Sequence, residues 1–124
     1  MLIACLDLEG VLFPEVWINV AEKTGIAELK LTTRDIADYD ELMGIRLKII
    51  AEKKLTLKDI QDTIETMDPL PGALDFLDWL REECQVIILS DTFDAFAGPI
   101  MRKLKMPAIF CHELEVDKNN VITS

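Results

Sequence analysis

The sequence predicts an α/β fold in which a parallel sheet carries a helical insertion directly after its first strand. Leu2 to Leu6 and Gln85 to Leu89 are short, mostly apolar runs halted by polar residues, the pattern of strands buried on both faces of a parallel sheet. Between them the apolar residues recur at helical spacing, and no convincing strand interrupts residues 14 to 68. A chain of 124 residues that is 50% apolar forms one domain with a real core, removing roughly two-thirds of its unfolded surface from water. That composition also excludes disorder.

The elements follow in order. After the first strand, Pro14 is suited to open a helix in which Val16, Trp17, Val20 and Ala21 face inward, and Gly25 supplies the C-terminal cap. A polar stretch from Lys30 to Asp38 leads to a second helix carrying Tyr39, Leu42, Met43, Leu47 and Ile50. Thr56 and Asp59 have the spacing of a capping box, and Leu57, Ile60, Ile64 and Met67 form the apolar stripe of a third helix. Asp68-Pro69-Leu70-Pro71-Gly72 breaks the chain before a fourth helix, Ala73 to about Glu83, with Pro71 at its start and Leu74, Leu77 and Leu80 inward. The second strand follows, then a helix from Asp94 to Leu104 that must place Pro99 in its first turn or kink there. Ala108 to Cys111 and Glu113 to Val116 read as short strands, and Asn119-Asn120 as a turn. Both tryptophans, Trp17 and Trp79, are expected in the core. The insertion, residues 14 to 68, then stands apart from a core made of 1 to 13 and 69 to 124.

The 13 basic residues against 23 acidic ones leave a charge of −10, which argues against any broad contact with nucleic acid or an anionic membrane. An anionic small substrate is disfavoured too, unless a cation intervenes. Cys5, Cys84 and Cys111 form no paired framework, which points to buried thiols in a reducing cytoplasm. Met1 to Leu6 has neither the basic start nor the cleavage site of a signal peptide.

In open α/β sheets ligands gather beyond the carboxyl ends of the strands. The first strand ends Asp7-Leu8-Glu9-Gly10, and residues two apart in extended chain project to one side, so two carboxylates can share a small volume. Two acids so placed cannot both ionise freely, and one becomes a proton donor beside an ionised nucleophile or metal ligand. The pair suits phosphoryl transfer through an aspartyl-phosphate, with Asp7 attacking and Glu9 protonating the leaving oxygen. Gly10 permits a sharp turn that brings backbone N–H groups to a phosphate. The bland alternative is that two acids merely end a strand. The second strand ends Ser90-Asp91-Thr92, where a hydroxyl and the following N–H groups can hold a phosphate oxygen.

Taken together, these residues resemble the haloacid dehalogenase superfamily of phosphatases and phosphotransferases, whose first motif is an Asp nucleophile with a second acid two residues on and whose second is a Ser or Thr after another apolar strand. Ala4-Cys5-Leu6-Asp7-Leu8-Glu9-Gly10-Val11, Ala21-Glu22-Lys23-Thr24-Gly25-Ile26 and Ile88-Leu89-Ser90-Asp91-Thr92-Phe93 are similar to the phosphoserine phosphatase branch, and within it to the bifunctional phosphoserine phosphatases and homoserine phosphotransferases, which carry Glu at the second acid. The resemblance implies magnesium, held by Asp7 and the Glu9 carbonyl together with an acid from a later motif. A divalent cation would answer the charge objection. It also implies that the insertion is a cap closing over the substrate.

Within that cap Arg46 interrupts the apolar stripe of Tyr39, Met43 and Ile50. It either snorkels to the edge of the stripe or, as the resemblance implies, takes the substrate carboxylate bidentately. Glu15 matches the cap acid that pairs with the substrate amino group, and equally suits the N-terminal end of a helix dipole. Gly44 is poor helix chemistry and blurs the cap geometry. His112, between Cys111 and Glu113, lacks metal-ligand spacing and is expected to pack in the core or at the surface.

The family's later lysine and its last acidic motif have no counterpart here: Lys105 and Lys118 stand outside the expected context. The expectation is therefore the N-terminal part of a longer enzyme or a truncated reading frame, inactive alone, with a sheet edge and apolar helix faces left uncovered that favour a homodimer or poor solubility. A phosphoacceptor receiver domain would need a strand among the helices of the insertion. A non-catalytic binding or dimerisation module shares the fold and differs only in chemistry.

Overall fold

A computed structural model describes residues 1–124, with the elements β1 (Ile3–Leu6), α1 (Val16–Thr24), a 3-10 turn (Ala27–Lys30), α2 (Tyr39–Glu52), α3 (Leu57–Glu65), α4 (Ala73–Glu83), β2 (Gln85–Phe93), α5 (Asp94–Lys103) and β3 (Ala108–His112). The strands form one parallel sheet in the order β1-β2-β3. β1 pairs with β2 from Ile3↔Gln85 to Leu6↔Ile88. β3 pairs in register from Ile87↔Ala108 to Leu89↔Phe110 and again at Phe93↔His112, so that Ser90, Asp91 and Thr92 stand opposite the single Cys111. Such a bulge bends the strand and re-aims its side chains, here at the end of the sheet. The regular elements between β1 and Gln85 are all helical. No helix is long and apolar enough to cross a membrane.

The strands are not buried on both faces. Ala4, Leu6, Val86, Ile88, Ile109 and Cys111 pack toward the helices, while Ile3, Cys5, Leu89 and Phe110 are exposed, Phe110 at 64%. Two successive crossovers of one hand, moving the same way along the sheet, place α4 and α5 on the same side and leave the other bare. Runs such as Leu2 to Leu6 cannot distinguish these cases, because both faces are apolar. The same bareness corrects the reading of Cys5, whose thiol is exposed. Cys84 and Cys111 are half-buried. Trp79 is exposed as well: α4 turns Ala73 and Leu77 inward, and Trp79 pairs with Phe76 on the outer side, ring centroids 6.1 Å apart.

The core lies between the covered face and the helices. Phe13, Val16, Val20, Ile60, Ile64, Leu77, Ile88, Phe96 and Ile100 belong to one buried cluster, and Phe96 meets both Trp17 and Phe93 edge to face at 5.8 and 5.4 Å. Helix starts differ slightly from expectation. Pro14 and Pro71 precede the N-cap residues Glu15 and Gly72 instead of occupying the first turn, and Gly72 adopts φ 81°. Pro99 sits inside α5. Glu113 to Val116 forms only an isolated bridge, Val116↔Ile122, closed by the turn through Asn120.

Thr56 and Asp59 do form a reciprocal capping box: the Thr56 hydroxyl accepts from the Asp59 N–H and the Asp59 carboxylate accepts from the Thr56 N–H at 2.9 Å. Thr56→Ala is expected to lower the unfolding free energy by about 1 kcal/mol, read from a urea transition. An unchanged midpoint would show that the box is idle.

Candidate active site

A cleft of about 200 Å³ opens where β1 and β2 end, between the sheet and the first helices. Asp7, Glu9, Glu15, Arg46, Ser90, Asp91 and Thr92 all line it. Of the candidate catalytic and phosphate- or substrate-binding residues read from the sequence, Gly10 alone is absent from the lining. It adopts φ 81°, which makes the turn, but its N–H donates to the Phe13 carbonyl at 2.7 Å and is spent. The Thr92 N–H is likewise committed, to Ser90 Oγ at 3.1 Å. Backbone donors at these two positions therefore do not face the cleft, and side chains take their place.

Asp7 is exposed at the strand end and accepts the Leu8 N–H on Oδ1 at 2.7 Å, which orients the carboxylate and leaves Oδ2 uncommitted. Glu9 is half-buried, and Oε1 accepts the Val16 N–H at 2.7 Å. Glu15, the N-cap residue of α1, makes no cap bond of its own, so Glu9 satisfies the first free donor of that helix from outside. Burial raises the Glu9 pKa above the usual glutamate range, against the lowering effect of the Val16 bond and of Arg46. One acid of the pair is raised, though not for the reason its spacing gives. The cause is chiefly desolvation, with the Asp7 charge a smaller contributor.

A raised folded-state pKa means stability that is complete below the ordinary value of 4.5 and declines as pH rises through the folded value. Glu9→Gln is therefore expected to be more stable than the parent at pH 7.5, with the difference vanishing below about pH 4.5, as measured by urea midpoints. A constant difference across pH would mean that burial does not perturb Glu9.

Ser90 Oγ accepts from Thr92, which leaves its own O–H free to donate into the cleft. The Thr92 hydroxyl is buried and has no hydrogen-bond partner. Arg46 is only 8% exposed. Its guanidinium lies 4.9 Å above the Trp17 ring and donates to the Leu31 carbonyl at 3.1 Å, while Nε has no partner. Burial pulls its pKa down, opposed by Tyr39, Glu9 and Glu15. It does not snorkel. Buried donors are nearly always satisfied, so an orphaned Nε and an orphaned hydroxyl on one cleft mark a place for a polar ligand. Glu15 contacts Arg34 at 3.5 Å, an exposed pair that contributes little and is readily displaced. The Asp91 carboxylate turns to His112 Nε2 at 3.4 Å, and His112 is exposed at the sheet end.

Sequence patterning misses Tyr39, Thr32 and Thr33, which also line the cleft. Tyr39 counts as one more apolar member of a helical stripe, yet its hydroxyl donates to the Asp91 carbonyl at 3.1 Å. Its position immediately after the N-cap Asp38 is the available signal. Burial raises its pKa, with the Asp91 charge adding to the effect, so it remains a donor.

The side chains present fit a lightly coordinated Mg²⁺. Asp7 Oδ1, which keeps a lone pair beyond its Leu8 bond, and the Glu9 carbonyl, which receives no hydrogen bond, offer two hard oxygen ligands and leave Asp7 Oδ2 free. Mg²⁺ commonly takes one or two carboxylates and fills its shell with water and substrate phosphate. No group of three or more potential metal-ligating side chains exists in the chain.

No protein-family model matches the chain. It is 61% identical over 120 residues to the phosphoserine phosphatase ThrH of Pseudomonas aeruginosa, covering 97% of this chain and 58% of that protein. It is 58% identical over 122 residues to a phosphoserine phosphatase of Pseudomonas syringae pv. tomato, covering 98% of this chain and 52% of that one. The chain thus spans little more than half the length of these curated relatives. Among solved structures, a phospho-aspartyl intermediate analogue of a phosphoserine phosphatase superposes with a TM-score of 0.76 at 18% identity, over 96% of this chain and 59% of that one. A HAD-family hydrolase of Salmonella enterica serovar Typhi gives 0.74 at 17% identity, over 98% and 43%. The chain is thus similar in sequence to curated phosphoserine phosphatases over about half of their length, and it shares the fold of solved phosphoserine phosphatase and HAD-family hydrolase structures.

Proposed function

We propose that the chain supplies the nucleophile, the proton donor and the substrate-selecting side chains of a Mg²⁺-dependent phosphomonoester phosphatase or phosphotransferase acting on phosphoserine. The single observation that carries the reading is one cleft holding an oriented exposed carboxylate, a half-buried acid of raised pKa and two orphaned buried donors. The identity to phosphoserine phosphatases supports the substrate.

In this reading Asp7 Oδ2 attacks phosphorus as the bond from phosphorus to the serine oxygen breaks, and Glu9 delivers its proton from Oε2 to that oxygen. Oε1 stays on the Val16 N–H, so the acid does not rotate away. Water then attacks phosphorus and yields a proton to Glu9, and Asp7 is released with inorganic phosphate. A homoserine hydroxyl in place of that water would give transfer. Ser90 and Thr92 donate to phosphate oxygens, Arg46 takes the substrate carboxylate, and Glu15 exchanges Arg34 for the substrate ammonium. Bound Mg²⁺ supplies charge neutralisation of the phosphate. Asp91 serves through its carbonyl, and Gly10 through the turn it permits.

No lysine lines the cleft. Without the lysine and later acid that the motif resemblance implies, these 124 residues are expected to turn over poorly by themselves. A non-catalytic binding module is the second reading, favoured by the bare apolar sheet face, through which two chains could pair as a homodimer. Incubation with ³²P-phosphoserine and Mg²⁺, acid quench and peptide mapping separates the two. Label on the peptide containing Asp7 is expected. Binding of phosphoserine without label would leave the module reading.

A further inference from the structure

The helices that follow β1 are held to the rest of the molecule unequally. α3 is fixed at both ends: the Leu57 and Lys58 N–H groups donate to the Asn120 carbonyl and side chain at 3.0 and 2.7 Å, and Lys103 Nζ donates to the carbonyls of Glu65 and Met67. Gln61 reaches the Ala95 carbonyl at 2.9 Å, and Arg102 meets Glu65 at 2.8 Å. α1 is tied at its start by Glu9. The 3-10 turn and α2 form an arch between Gly25 and Lys54, both at positive φ, and only one hydrogen bond joins α2 to the sheet, from Tyr39 to Asp91.

That bond is well placed to act at a distance. Asp38 accepts from the Asp40 and Glu41 N–H groups at 2.9 and 3.2 Å, so the first turn carrying Tyr39 is firmly capped. Its acceptor lies in the bulge between Ser90 and Thr92, where the regular ladder is interrupted. Tyr39 and Arg46 are two turns apart on one face of α2, about 10 Å along a rigid helix. We propose that Tyr39 is a positioning residue: its hydroxyl latches the first turn of α2 onto the Asp91 carbonyl and thereby seats Arg46 in the cleft wall. The latch rests on geometry alone, while its effect on phosphoserine rests on the function proposed above.

Tyr39→Phe keeps the ring and deletes the donor. Hydrogen exchange of the chain is expected to quicken about two- to tenfold in the first turns of α2, the span of one net hydrogen bond, with α3 unchanged. The phosphoserine dissociation constant, measured by calorimetry with Mg²⁺, is expected to rise by a similar factor, and to rise no further when Tyr39→Phe is added to Arg46→Lys. Unchanged exchange in α2, equal quickening in α2 and α3, or an undiminished effect in the Arg46→Lys background would each overturn the latch. If the parent chain binds no phosphoserine, the substrate reading falls and the exchange pattern alone decides the latch.

Discussion

Asp7→Asn is expected to abolish phosphoryl transfer, lowering the single-turnover rate on phosphoserine on the order of ten-thousand-fold or more, because an amide oxygen cannot serve as the leaving carboxylate of an acyl phosphate. Folding should barely change. Asp7 is exposed, and its one contact, the Leu8 N–H on Oδ1, can be kept by the amide oxygen of asparagine. Rapid-quench phosphate release and a urea transition on the same preparation separate the two effects. Retention of the rate in the variant would remove Asp7 from the chemistry and would sink the aspartyl-phosphate route with it.

Arg46 gives the second large effect, with opposite signs for binding and stability. The guanidinium is buried, Nε is unpaired, and no carboxylate lies within ion-pair distance. A buried charge so placed costs solvation that its cation–π contact, one carbonyl bond and a weak bond to Met43 Sδ only partly return. Arg46→Met fills similar volume without charge. It is expected to raise the unfolding free energy by about 1 kcal/mol, since replacing buried ionic groups by apolar ones of like size is often stabilising. Phosphoserine binding is expected to weaken about a hundredfold, the loss of a charge-assisted bidentate contact. A variant that loses both stability and binding would recast Arg46 as a structural residue.

Much of this site is legible in sequence because strand ends and helix periodicity are local properties. Asp7, Glu9 and Ser90 follow from apolar runs that stop abruptly, and Arg46 from an interrupted stripe. What stays hidden depends on pairing between distant segments. The bulge that sets three residues against Cys111 is decided by β3, so nothing in Ser90-Asp91-Thr92 announces that the Thr92 N–H turns back to Ser90. Tyr39 reads as apolar until its partner 52 residues away is known. The exposure of Trp79 and Cys5 follows from which face the crossovers cover, which two-sided apolar strands do not encode.

The anchoring of α3 also orders events in time. Lys58 finds its donor's partner on Asn120, 62 residues later, and Lys103 closes the other end of the same helix. At a synthesis rate of about 5–20 residues per second, α3 waits roughly 3–12 s between leaving the peptidyl-transferase centre and the making of its last fastener. For the first part of that interval, until Lys103 is made, Ile60 and Ile64 also lack the α5 surface against which α3 packs. Pulse proteolysis of stalled nascent chains should therefore find α3 cleavable until residue 120 has emerged. Protection of α3 in shorter chains would show that α1 alone suffices to shelter it.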